Sequence, residues 1–344
     1  GVQTCALPIL PYNDIIRKFI DMYAGRLRNQ VSFMLSACNF YMPIFEEALD
    51  AYGLPLELRY LPIIESALNP SAVSRAGASG LWQFMIGTGK IYGLESNSLV
   101  DERRDPIKAT WAAARYLKEM YDIYGDWNLV IAAYNCGPGT INKAIRRANG
   151  ETDYWKIYNY LPKETRGYVP AFIAANYVMT YYCDHNICPM ETNIPASTDT
   201  VQVNKNLHFE QIADLCNVPL DQIKSLNPQY KKQMIPGDSK PYTLRLPIDA
   251  ISTFIDKQDT IYTHRADELF RNRKTVAVKD ITPATRKTTS AVAGKGNLTY
   301  YTIKSGDTLS TIARKYGVTI KDIQRWNGMS STKIAAGKRL KIYK

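Results

Sequence analysis

Histidine and cysteine are scarce in this chain, with 3 and 6 copies in 344 residues. Six cysteines are too few for a disulfide scaffold at this length. Cys183 and Cys188 enclose four residues and suit either a small closed loop in an exported protein or a reduced, buried pair. With His185 they supply three soft ligands, and His208 and His264 lie far off in sequence. A structural zinc centre wants about four ligands, so no metal is expected. No apolar run reaches the roughly 18 residues that a membrane-spanning helix needs. Before residue 195 no period-2 alternation of useful length occurs, so that part is expected to be almost all α. Residues 66–94 hold no aspartate or glutamate at all.

Charge is present but unevenly placed. Residues 1–198 carry a net −1 and the remainder +12, giving +11 overall. A near-neutral body with a basic tail suits an anionic partner, or simply a soluble lysine-rich linker. The aromatics of the basic part are not interleaved with its basic residues as a stacking platform requires, so no nucleic-acid partner is expected.

The chain starts at Gly1 rather than Met, and its first residues lack a basic stretch followed by an apolar one of convincing length. Residues 1–11 are read as a processed or non-native start, without a visible targeting signal. Residues 12–53 read as N-terminal helices, two of them broken near Tyr41-Met42-Pro43. A helical body follows over 54–192. Within it Asp105-Pro106 opens a helix with an N-cap and a proline at the first helical position. Ala113, Leu117, Met120 and Tyr124 form its apolar face, and Gly125 ends it. Asp126 caps the next helix, which Gly137-Pro138-Gly139 stops.

After residue 195 an internal repeat appears at an offset of 100 residues. Ile212, Ala213, Val218, Ile223 and Asn227 align on Ile312, Ala313, Val318, Ile323 and Asn327. Each copy, 199–248 and 299–344, reads as a β-like piece, two short helices and a closing β-like piece. Thr319 and Asp322 suit a capping box for the last helix. Residues 249–298 are read as linker, flexible from about 274, where Thr, Ala and Lys dominate without apolar periodicity.

The residue that stands out is Glu65. On a helical reading Leu58, Leu61, Glu65 and Leu68 form one stripe at i, i+3, i+7 and i+10. A carboxyl among apolar neighbours has its pKa raised by desolvation, which suits a general acid near neutral pH. Three further segments accompany it: Gly80-Leu81-Trp82-Gln83, Ala133-Tyr134-Asn135-Cys136-Gly137-Pro138-Gly139, and Glu164-Thr165-Arg166-Gly167-Tyr168-Val169-Pro170. Each is weak alone; their order within about a hundred residues is specific.

With these segments the chain resembles the lytic transglycosylases of the lysozyme-like superfamily, in the branch typified by membrane-bound lytic murein transglycosylase D. The resemblance covers residues 12–189, and the two repeats resemble the LysM modules that this branch carries. It implies a mainly α, lysozyme-like catalytic domain of the goose-type or soluble lytic transglycosylase fold, followed by two small βααβ LysM-like domains. It implies cleavage of the MurNAc–GlcNAc β-1,4 bond of peptidoglycan, leaving a 1,6-anhydromuramoyl end, with no cofactor.

By motif, Glu65 matches the catalytic acid. Ser66, Ser74, Gln83, Tyr134, Asn135 and Tyr168 match substrate-binding positions. Trp82 stands where methionine is common, which bears on a sugar subsite, and Cys136 where Ala or Gly is usual. In the second repeat the sugar-binding positions are Gly306, Asp307, Thr308, Leu309, Asn327 and Ile334; the first repeat lacks the Gly-Asp-Thr element. N-acetyl sugars are neutral, so the excess Lys and Arg would serve wall peptides or anionic polymers.

Most glycosidases use two carboxylates, and the acid-free loops after Glu65 offer none close by; Glu95 and Asp101 onward could still fold back. One carboxyl suffices if the substrate's own acetamido group takes part, an exception among glycosidases. The expected protein is exported to the periplasm or cell envelope, monomeric, with room for a lipid anchor upstream and glycan strands as partner. A lysozyme-type hydrolase and a catalytically silent wall-binding protein are the competing readings.

Overall fold

The computed structural model describes residues 12–192, 194–195, 197–271, 298–304, 307–327, 329, 332 and 334–343. These form two compact units, 12–271 and 298–343. The expected tether over 274–297 and Gly306 lie outside the described residues.

The first unit begins with α1 (Asp14–Ala24) and α2 (Arg28–Ala51). The expected break at Tyr41-Met42-Pro43 is absent: α2 runs through Pro43. Proline there removes one i→i−4 hydrogen bond, but Tyr41, Phe45, Ala48 and Leu49 are buried on both sides of it, and that packing holds the helix. The chain turns instead at Gly25, whose N–H bonds Asp21 O at 2.9 Å.

A 3₁₀ turn, Leu56–Tyr60, leads into α3 (Leu61–Ser66), which stops when Ala67 and Leu68 adopt left-handed φ values of 51° and 58°. Leu58, Leu61 and Leu68 are therefore not one helical stripe, although all three are buried. The apolar spacing located the core correctly and the helix wrongly, because burial needs only the side chains to converge.

Then come α4 (Ile86–Ile91), α5 (Pro106–Tyr124), α6 (Trp127–Cys136), α7 (Pro138–Arg147), α8 (Tyr154–Ile157) and α9 (Lys163–Thr180). The Asp105 side chain accepts from the N–H groups of Ile107 and Lys108, and Asp126 from that of Leu129. Gly125 ends α5 at φ 61°. α9 is the hub, with α1, α3 and α6 packed on it.

The first repeat contains β1 (Thr198–Val203), β2 (Asn206–His208), α10 (Phe209–Cys216), α11 (Leu220–Leu226), β3 (Met234–Pro236) and β4 (Tyr242–Pro247). β1 pairs antiparallel with β4, Val201 facing Leu244, and β2 with β3, Leu207 facing Ile235. Residues 249–271, expected as linker, instead form α12 (Ile248–Asp256), α13 (Gln258–Thr263) and α14 (Ala266–Leu269). Ala250, Phe254 and Ile261 bury one face of this run in the repeat's core, a helical spacing that could have been read from the sequence.

This module is docked on the helical domain. Val100 makes an antiparallel bridge to Tyr230. The Lys231 N–H donates to Leu99 O and the Asp101 N–H to Gln229 O, each at 2.8 Å. Leu99 and Val100 belong to the module's core rather than to that of their own domain.

The second unit is the second repeat: β5 (Leu298–Thr302), α15 (Leu309–Tyr316), α16 (Ile320–Trp326) and β6 (Arg339–Tyr343). β5 and β6 are antiparallel, Tyr301 facing Leu340. The Thr319–Asp322 capping box forms, with the Asp322 N–H donating to Thr319 Oγ1 at 3.1 Å and the Thr319 N–H to Asp322 Oδ2 at 3.3 Å.

One device is shared by the two copies. Asn227 Nδ2 donates to Ile223 O and Arg245 O, and its Oδ1 accepts from the Arg245 N–H. Asn327 Nδ2 donates to Ile323 O and Lys341 O, and its Oδ1 accepts from the Lys341 N–H. In each, one amide ties the second helix to the closing strand.

Candidate active site

Glu65 is the penultimate residue of α3, which packs against α9. Its half-buried carboxylate receives the hydroxyl of Tyr168, which projects from α9. Desolvation raises the Glu65 pKa to about 7 against a usual 4.5; the Tyr168 hydrogen bond pulls it down and the charge of Glu164 pushes it up. At neutral pH the group is close to half protonated, able to give a proton and to take one back.

Glu65, Ser66, Ser74 and Gln83 line one cleft of about 420 Å³. The single Ser66 hydroxyl hydrogen is shared between Leu81 O at 2.9 Å and Pro62 O at 3.1 Å, tying α3 to the 80–83 turn. Ser74 is exposed and its Oγ accepts from the Ala78 N–H at 3.0 Å. Gln83 has φ 49°, and its Nε2 donates to Ala72 O and Gly80 O at 3.2 and 2.8 Å. Short bridges from Val73 to Ser79 and from Ser79 to Phe84 fold residues 73–84 into a compact wall.

Tyr134 and Asn135 stand behind this surface. The Tyr134 hydroxyl donates to Trp82 O at 2.7 Å, and Asn135 Oδ1 accepts from Thr165 Oγ1 at 2.9 Å. Trp82 cannot shape a sugar subsite by contact: it is 0% exposed, its indole N–H donating to Thr110 Oγ1 at 2.9 Å. An apolar side chain of that size fills core.

Sequence reasoning missed Tyr23 of α1 and Gln30 of α2, which line the same cleft, and the charge of Glu164 on Glu65. Nothing in their local pattern marks the first two; the packing of α1 on α9, and of α2 beside α1, brings them there. Glu95 and Asp101, which could have folded back, are engaged elsewhere. Glu95 pairs with Lys240 at 2.7 Å and Asp101 with Arg103 at 2.8 Å. Among the residues lining the cleft, Glu65 is the one carboxylate.

In the second repeat Asp307 Oδ2 accepts from the Lys304 N–H at 2.8 Å and the Tyr301 hydroxyl at 2.7 Å, and Thr308 Oγ1 accepts from the Thr311 N–H at 3.2 Å. Leu309 is buried in the module's core and Ile334 packs against it. The Asn327 amide is spent on the fold, as described above. Leu309 and Asn327, expected at the sugar groove, also hold the module's own structure together.

The site is thus a half-buried carboxyl beside a tyrosine in an open cleft of a helical domain, and the comparisons place that domain among the transglycosylases. The Transglycosylase SLT domain family matches residues 42–157. The LysM-like domain of lytic transglycosylase MltD matches 197–263, and the LysM domain matches 301–342. Membrane-bound lytic murein transglycosylase D of Escherichia coli K12 is 32% identical over 337 residues, covering 97% of this chain and 70% of that protein. The soluble lytic murein transglycosylase of the same strain is 33% identical over 124 residues, covering 34% and 19%. The solved 70 kDa soluble lytic transglycosylase of E. coli matches 42% of this chain and 24% of its own, with TM-score 0.37 and 29% identity. This chain belongs to the family of membrane-bound lytic murein transglycosylase D. Among the described residues no helix is long and apolar enough to cross a membrane.

Proposed function

We propose that Glu65 is the sole acid–base of a non-hydrolytic cleavage of peptidoglycan. As the acid it protonates the departing GlcNAc oxygen of the β-1,4 bond. As the resulting carboxylate it removes the proton from the MurNAc 6-hydroxyl, which closes onto C1 and leaves a 1,6-anhydro end. The observation that carries this reading is the single carboxylate in the cleft lining, because a hydrolase of the two-carboxylate type needs a second acid across the bond. Its pKa of about 7 suits both halves of the cycle. The substrate's acetamido carbonyl supports the positive charge at C1. Ser74 and Gln83 hold sugar from the cleft wall, while Ser66, Tyr134 and Asn135 act from behind it by fixing the turn and α9. Tyr168 orients the Glu65 carboxyl.

In the second module we assign glycan contact to Gly306, Asp307, Thr308, Leu309, Asn327 and Ile334. The enzyme works in the periplasm or cell envelope as a monomer on glycan strands, without a cofactor. Mass spectrometry of muropeptides released from purified peptidoglycan tests the reaction. The expected products are one water lighter than those of a hydrolase; reducing ends instead would make the protein a muramidase.

Removing the Tyr168 hydroxyl has a second measurable effect. Its hydrogen bond favours the carboxylate, so in Tyr168→Phe the Glu65 pKa rises further above its wild-type value of about 7. Cleavage needs the protonated acid, so the falling limb of kcat/KM moves to higher pH, and the maximum drops about 10-fold through lost orientation. A pH–rate profile with an unmoved limb would detach Tyr168 from the acid.

A further inference from the structure

The wall of the cleft is held from behind by residues that touch no substrate. Arg103 is buried, and Asp101, buried too, grips its guanidinium through two hydrogen bonds at 2.8 Å. The same guanidinium donates to Gly77 O at 2.8 Å and Phe84 O at 2.9 Å. Those carbonyls lie in and at the end of the segment that carries Ser74 and Gln83. Arg104 adds a hydrogen bond to Ser79 Oγ at 3.1 Å. Planar guanidinium with several donors in fixed directions is suited to pinning carbonyls of two turns at once.

The other side of this clamp faces the first LysM-like module. Lys231 Nζ donates to Asn97 O at 2.7 Å and lies 3.9 Å from Asp101 Oδ2. The main chain of residues 229–231 pairs with that of 99–101, as described above. Tyr242 and Lys240 hold Glu95 at 3.0 and 2.7 Å. The loop between the second helix and the closing strand, one wall of a LysM sugar groove, is therefore spent on contact with the helical domain. The other wall has Leu207, fully buried, where the second copy has Asp307.

We propose that Arg103 is a positioning residue for the substrate-binding wall over residues 72–84, and that the first LysM-like module braces it through Lys231 and Asp101 instead of gripping the cell wall. This rests on the transglycosylase reading given above and assigns to the module a role in that same site. A loop fixed from both sides keeps Ser74 and Gln83 in place against the strain of a long polymer pulled across the cleft. A small misplacement of such groups weakens substrate binding and turnover together.

Steady-state kinetics on soluble glycan strands with the full chain test it, beside pelleting with insoluble peptidoglycan and thermal melting. Lys231→Met keeps the stem and removes the charge and donor. The expected result is KM raised about 5-fold or more with pelleting unchanged, and recovery in Lys231→Arg, which can still reach Asn97 O. Should Lys231→Met fail to fold, Asp101→Asn, which keeps the shape and weakens the grip on Arg103, is expected to give the same KM rise. An unaltered KM, whether kcat stays or falls with the folded fraction, would reduce Lys231 to a structural contact and overturn the proposal. Loss of pelleting together with the KM change would make the module a wall binder and overturn it too. A wild type that releases no anhydro product would instead defeat the reaction assignment.

Discussion

Glu65→Gln is expected to lower release of anhydro-muropeptides by about 10³-fold or more while leaving retention on peptidoglycan intact. Glutamine fills the same volume and its amide oxygen can still accept from Tyr168, so the cleft stays built. What disappears is the proton: neither protonation of the leaving oxygen nor removal of the 6-hydroxyl proton has a substitute, since the other cleft-lining residues supply no carboxylate. The same substitution has an opposite signature in stability. Burial lifts the folded-state pKa to about 7 from 4.5, so ionised Glu65 is a burden on the native state above pH 7 and none below pH 4.5. Glu65→Gln should accordingly be about 2 kcal/mol more stable than wild type at pH 8, with the advantage vanishing as pH falls through that window. Denaturation at the two pH values, together with the product assay, separates a lost catalyst from a damaged fold. Residual turnover within about 10-fold of wild type would remove Glu65 from the acid's role.

Gly80→Ala is expected to be the most disruptive single-methyl change in the cleft wall. Gly80 sits at φ +89°, and a Cβ there would lie 1.7 Å from the Arg103 carbonyl oxygen and 2.6 Å from its carbon. The obstacle is backbone, held by the Arg103–Asp101 clamp, so neither side can yield cheaply. The φ strain alone costs about 1–3 kcal/mol, and the clash adds to it. A total of about 4 kcal/mol or more would consume much of a normal stability margin. Melting about 10 °C or more below wild type is expected, with soluble protein inactive because Gln83 is displaced. Melting within a few degrees of wild type would mean that the turn relaxes easily and that the close approach matters little.

How far the sequence discloses this molecule depends on how local the determining interaction is. Caps are local, and Asp105-Pro106, Gly125, Asp126 and the Thr319–Asp322 box all form as their spacing suggests. The 100-residue repeat is a pattern of whole segments and survives the loss of individual residues. By contrast, Pro43 is a local signal for a break, and the burial of Tyr41 and Phe45 around it overrides that signal. Glu65 was found for a partly mistaken reason, since the stripe crosses a 3₁₀ turn, a short helix and a left-handed pair. Tyr23 and Gln30 join the cleft from 35 or more residues upstream of Glu65, and no nearby residue announces them. Leu99-Val100 looks like an unremarkable apolar pair until the module that buries it is in place.

The two asparagines that tie helix to strand carry a consequence for how the duplicated copies drifted apart. Asn227 and Asn327 make corresponding sets of three hydrogen bonds, yet the copies differ in sequence at another matching place, where one reads Gly306-Asp307-Thr308 and the other Asn206-Leu207-His208. An amide that ties the second helix to the closing strand serves folding in either copy, whatever the copy is used for. Positions that do not close the fold are free of that demand. The two copies therefore keep in common the residue that answers to folding and differ at the positions expected to meet sugar.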